Sequence, residues 1–150
     1  MRVLVDEDTA VQVVEPLRKV LAGHEVDHVY DRHWGGKKDR FVLRDADRAG
    51  YHVFITRDGH QLSDPDECDA IRESELHHVR YEQKGGTYGL ALALAAIIAA
   101  MPKVMEDLEG ADGQRLVRII GLNPAKKRHQ ITDPKKVPPP YWGRRPRRGS

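Results

Sequence analysis

RVLVDED, residues 2–8, sets a short valine-rich run directly against three consecutive acids, Asp6, Glu7 and Asp8. The run reads as a buried first strand. Carboxylates packed together resist ionising jointly and raise one another's pKa, so a protein that concentrates them supplies a cation or leaves them in water.

Outward from this strand the pattern alternates between helical and extended periods. Ala10 to Leu21 carries Val13, Val14, Leu17 and Leu21 at helical spacing and stops at Gly23, with Pro16 either kinking the helix or marking its true start. Glu25 to Tyr30 alternates as a strand, and Gly35-Gly36 is a loop. Asp39 to Ala49 is helical and closes at Gly50, and Tyr51 to Thr56 is the next strand. LSDPDE reads as a loop with turn chemistry, and HHVRYE as a further strand. A long helix from about Tyr88 to Leu108 and a last strand, RLVRIIG, follow. This alternation predicts an α/β domain with a largely parallel sheet.

Composition narrows the setting. The 150 residues are 39% hydrophobic and 32% charged, which suits one domain with a single modest core. The lone cysteine, Cys68, excludes an intramolecular disulfide and fits a reducing cytoplasm. No signal peptide is expected from the N-terminal residues. The longest apolar stretch, Leu90 to Met101, falls short of the roughly 20 residues that span a bilayer, so no membrane association is expected. Charge is lopsided: Met1 to Leu122 carries −6, and the proline-rich remainder carries +8.

In open α/β sheets, sites form past the carboxyl ends of strands, where the strand order reverses. Asp6 and Asp8 follow the first strand, Asp58 follows the third, and Asp39 opens the helix after the Gly-Gly loop. Convergence of these carboxylates would offer the hard oxygen ligands that Mg²⁺ or Mn²⁺ prefers. Taken alone, Asp39 also fits an acid favoured in a helix's first turn, and Asp58 a turn former.

The stretches VLVDED, GGKKDRFVLRDADRAG and VFITRDG, in this order, resemble the compact PIN-like domains related to the toxin nucleases of bacterial toxin–antitoxin pairs. That family opens with a strand ending in Asp-Glu-Asn, leads through a Gly-Gly loop into a helix with an early Asp, and has a strand ending in Thr-X-Asp. The resemblance covers residues 1–121. It implies a three-layer α/β fold, metal-dependent endoribonuclease activity with Mg²⁺ or Mn²⁺, Asp6, Asp39 and Asp58 as catalytic metal ligands, and Asp8 as a further metal-site carboxylate. Asp8 replaces the family's Asn. His60 stands where a further Asp is common, as an auxiliary nitrogen ligand or proton-transfer group. Glu7, on the alternate strand face, is left out of the site. An RNA substrate, a cognate antitoxin and room for a homodimer are further implications.

Two alternatives use the same residues. A non-catalytic PIN-like module would bind RNA or protein without cleaving. A response-regulator receiver would be phosphorylated on Asp58, but HHVRYEQ and RLVRIIGLNP lack the Ser or Thr and the Lys-Pro pair that a receiver needs, and Asp39 would have no role. His77 and His78, adjacent on a strand, face opposite ways and cannot share a metal. Residues 122–150 are too poor in apolar content to fold alone and are expected as a disordered basic tail. Lys126, Lys127, Arg128, Arg144, Arg145, Arg147 and Arg148 there are candidates for phosphate contacts, with Tyr141 and Trp142 available for base stacking.

Overall fold

The computed structural model describes residues 1–59, 61–122 and 129–143. Six strands, β1 (Arg2–Val5), β2 (Glu25–His28), β3 (Val53–Arg57), β4 (His77–Tyr81), β5 (Leu116–Ile119) and β6 (His129–Thr132), form one sheet in the order β2-β1-β3-β4-β5-β6. All pairs are parallel except β5–β6. Because β1 lies between β2 and β3, the strand order reverses at β1, and a crevice opens beyond the carboxyl ends of β1 and β3.

Side-chain parity sorts the two faces. Val3, Val5, Val53 and Ile55 point into a core closed by α1 (Val14–Val20) and α4 (Gly86–Glu109), whereas Leu4 and Phe54 point into a second core under α2 (Asp39–Arg48) and α3 (Pro65–Ser74). Three layers result. Since alternate residues share a face, Asp6 continues the Leu4 side and Thr56 the Phe54 side. Val5 is in register with Ile55, so Asp6 and Thr56 become neighbours facing α2 and α3.

The structure departs from the sequence reading at several elements. The expected helix over 10–21 splits into a 3-10 turn, Val11–Val13, and α1. Pro16 falls within the first four residues of α1, whose N–H groups have no partner inside a helix. The strand predicted over 25–30 ends at His28 and turns into a 3-10 segment, Val29–Arg32. DPDE is no loop: Asp64 caps α3 by accepting from Asp66 N (2.9 Å) and Glu67 N (3.1 Å), with Pro65 opening the helix. The sheet also runs past the expected boundary at residue 121, because residues 129–132 add β6 beside β5 and Trp142 packs against the second core.

α4 is the one helix among the described residues that is long and apolar enough, by length and composition, to cross a membrane. Ala93, Ile97, Ala100, Met101, Val104 and Met105 are buried in the α1-side core, and this packing accounts for its composition. Its first turns approach the preceding chain closely. A Cβ at Gly89 would lie 2.0 Å from the Lys84 carbonyl oxygen and 2.5 Å from its carbon. Replacing an interior helical glycine by alanine ordinarily stabilises by up to about 1 kcal/mol. Here the sign inverts, and Gly89→Ala is expected to lose about 1–3 kcal/mol through overpacking. Urea unfolding checks this, and unchanged or increased stability would disprove the close approach.

Candidate active site

Asp6 is the first residue beyond β1, and its own N–H donates to Ile55 O at 2.9 Å, which extends the β1–β3 pairing by one residue. Its carboxylate is buried. Oδ1 accepts from Glu7 N at 2.8 Å, and Oδ2 accepts from the Thr56 hydroxyl at 2.8 Å. The same hydroxyl lies 3.4 and 3.3 Å from the two oxygens of Asp8, whose Oδ1 also accepts from Arg57 N at 3.3 Å. A hydroxyl has one hydrogen to donate. The two carboxylates therefore share a donor that can serve only one of them well.

The electrostatic consequence is large. Burial, followed by the charges of Asp8 and Asp39, pushes Asp6 up from 3.8 to about 7, against the opposing hydrogen bonds from Thr56 and Glu7 N. Asp8 is also raised, chiefly by burial and further by the charge of Asp39. Among the described residues, no Lys, Arg or His forms an ion pair with Asp6, Asp8 or Asp39.

Asp39 is delivered by the Gly-Gly loop. Glu7, which the sequence reading set aside, accepts from Gly36 N at 2.7 Å and ties this loop to the end of β1. Gly36 takes a φ of 78°, in the left-handed region that glycine adopts without strain. α2 then begins at Asp39, whose Oδ2 accepts from Gln61 Nε2 at 3.0 Å. Glu67, in the first turn of α3, reaches the same carboxylate. Burial comes first in raising the Glu67 pKa, followed by the charges of Asp39 and Asp64 and a hydrogen bond to Asp39.

The structure thus brings Asp6, Asp8 and Asp39 within electrostatic reach of one another. Asp58 shares a small recess with Thr56, Gln61, His78 and Arg80, and its N–H donates to Tyr81 O at 2.7 Å, continuing the pairing with β4. Its charge acts on His78, whereas the groups that shift Asp6 and Asp8 are one another, Thr56, Asp39 and nearby backbone. His60 lies outside the described residues, as do Lys126, Lys127, Arg128, Arg144, Arg145, Arg147 and Arg148. Sequence reasoning missed Thr56, Gln61 and Glu67. Parity along YHVFIT marks Thr56, and the Asp-Pro-Asp-Glu helix start marks Glu67.

The three-layer domain thus sets its carboxylates past the carboxyl ends of the strands, where the strand order reverses. The chain belongs to the PIN-like family: a family model described as "PIN like domain" matches residues 1–83, which carry β1 to β4 and all the carboxylates just described. No curated protein and no solved structure matches the chain. PIN-like domains are generally nucleases, and they usually use divalent metals.

The donor set suits such an ion in its chemistry. No three His, Cys, Asp or Glu side chains among the described residues are grouped closely enough to hold a metal together. Mg²⁺, however, is commonly held by only one or two carboxylates, keeping waters and substrate phosphate in its other positions. Asp6 and Asp8 form such a pair around one hydroxyl, and their raised proton affinity marks a place where positive charge is favoured.

Proposed function

We propose that this protein is a metal-dependent endoribonuclease that hydrolyses RNA phosphodiester bonds with Mg²⁺ or Mn²⁺. The observation that carries the reading is the buried Asp6 carboxylate beside the more exposed Asp8, the two sharing the Thr56 hydroxyl with no ion pair to Lys, Arg or His among the described residues. Asp6 and Asp8 would hold the ion, with Asp39 adding negative charge from the start of α2. A bound divalent cation there polarises the scissile phosphate, favours deprotonation of the attacking water and offsets the charge that develops during attack. Thr56 keeps Asp6 oriented through its 2.8 Å hydrogen bond, and Arg57 N holds Asp8. The Glu7 contact to Gly36 fixes the loop that presents Asp39.

Asp58, in the recess lined by Thr56, His78 and Arg80, would add a further carboxylate beside the pair. The basic residues at 126–128 and 144–148 would engage the RNA backbone electrostatically. A toxin role, with an antitoxin covering the crevice, follows from the resemblance to toxin nucleases and extends this proposal. Co-expression with the neighbouring reading frame tests that extension.

Single-stranded RNA incubated with the full chain and Mn²⁺ tests the activity itself. Products with 5′-phosphate and 3′-hydroxyl ends, lost on adding chelator, are the expected result because water is the nucleophile. Products with a 2′,3′-cyclic phosphate would overturn the proposal by showing attack from the RNA's own 2′-hydroxyl. RNA binding without turnover in saturating Mn²⁺ would assign the chain to the non-catalytic modules.

A further inference from the structure

His78 sits within β4, in register with Phe54 on one side and Leu116 on the other, and is only 2% exposed. Its Nε2 lies 2.9 Å from Gln61 Oε1, and the Gln61 amide nitrogen lies 3.0 Å from Asp39 Oδ2. A carbonyl oxygen only accepts, so His78 Nε2 must carry the proton. The opposite orientation of the amide would set its oxygen against the Asp39 carboxylate, acceptor against acceptor when Asp39 is ionised. The three side chains therefore have one consistent arrangement: imidazole N–H to amide oxygen, and amide N–H to carboxylate.

That arrangement has a local cost, since it leaves His78 Nδ1 buried and without a partner among the described residues. An apolar side chain would fill this place between Phe54 and Leu116 without an unpaired atom. Buried unpaired polar groups are rare enough to need a reason, and local rules are broken most often where function requires it. Burial also pushes His78 down to about 4, so the ring stays neutral throughout the range in which a nuclease would be assayed.

We infer that Gln61 and His78 are positioning residues for Asp39: the imidazole fixes the orientation of the Gln61 amide, and the amide fixes the Asp39 carboxylate beside Asp6 and Asp8. The consequence for metal binding rests on the nuclease reading, whereas the relay itself does not. Side chains that orient a metal-site carboxylate act on affinity through its geometry.

Two measurements on the full chain separate these. Long-range ¹⁵N–¹H spectra of the metal-free protein between pH 6 and 8 should show His78 in the single neutral Nε2–H tautomer, and Gln61→Leu should lose that uniform signature. An Nδ1–H tautomer in the wild type would overturn the relay. Calorimetric titration with Mn²⁺ should give roughly tenfold or greater loss of affinity in Gln61→Met, a variant of similar length that removes the donor without adding a charge. His78→Leu should weaken binding less, and adding it to Gln61→Met should cost nothing further. Wild-type affinity in Gln61→Met would overturn the positioning role. If the wild type itself takes up no Mn²⁺, the nuclease reading fails while the tautomer still decides the relay.

Discussion

In chelator at pH 8, Asp6→Asn unfolds at a higher temperature than the wild type, yet it cleaves no RNA when Mn²⁺ is restored. The stability half follows from proton linkage. Asp6 has a native pKa of about 7 against 3.8 when unfolded. Below 3.8 both states hold the proton and the site contributes no pH dependence. Between 3.8 and 7 the native state binds more protons than the unfolded chain, so wild-type stability falls as pH rises, and above 7 the loss is complete. Each tenfold change in proton affinity is worth about 1.4 kcal/mol, which caps the effect at about 4 kcal/mol, shared in practice with Asp8.

Asparagine is shaped to accept this exchange. Its carbonyl can keep the hydrogen bond from Glu7 N, and its amide can donate toward Asp8, leaving the Thr56 hydroxyl to do the same. For a domain of this size about 1 kcal/mol corresponds to roughly 2–4 °C, so a gain of several degrees at pH 8 that vanishes near pH 4 is expected. Thermal unfolding across this pH range checks it. Equal destabilisation at both pH values would sink the account, because it would mean that Asp6 is valued by the fold as a hydrogen-bonding group rather than opposed as a charge. Loss of cleavage alongside increased stability is the pattern of a site whose charge is kept for function.

The first strand and its acids were legible because both signals are local. A short valine-rich run predicts burial, and the residues just beyond it inherit the strand's parity. Asp39 was legible through the Gly-Gly loop and the helix that follows it. Asp58 was marked by the end of its strand, but its surroundings depend on the neighbouring strand: its N–H pairs with Tyr81 O of β4, and its recess takes in His78 and Arg80 as well as Thr56. α3 was hidden because Asp-Pro is shared by turns and helix starts, and only the acids in the next two positions tip it toward a helix. Glu67 was lost with it. β6 has little apolar signal in HQIT, and Ile131 remains 38% exposed; the strand is held by pairing with β5, which no single-segment reading contains. Glu7 was set aside on parity alone, and its side chain is long enough to reach Gly36 and hold the loop instead.

Mn²⁺ binding to the wild type is expected to weaken roughly a hundredfold between pH 8 and pH 5. A cation can occupy the Asp6–Asp8 pair only after displacing the proton that burial and repulsion hold there, and at a pKa of about 7 the proton competes throughout this range. Binding at pH 6 should release close to one proton and at pH 8 only a small fraction of one, which calorimetry in buffers of differing ionisation enthalpy reads directly. Asp39→Asn separates proximity from ligation. Removing Asp39 takes away a negative charge that raises both Asp6 and Asp8, so the midpoint of the pH dependence should move to lower pH even as affinity at pH 8 declines. Asp58→Asn should leave that midpoint in place, because its charge acts on His78 instead. Binding that is flat from pH 5 to 8, or a midpoint that follows Asp58 and ignores Asp39, would put the ion outside the crevice, and the raised proton affinity of Asp6 would then be a feature of burial with no part in metal chemistry.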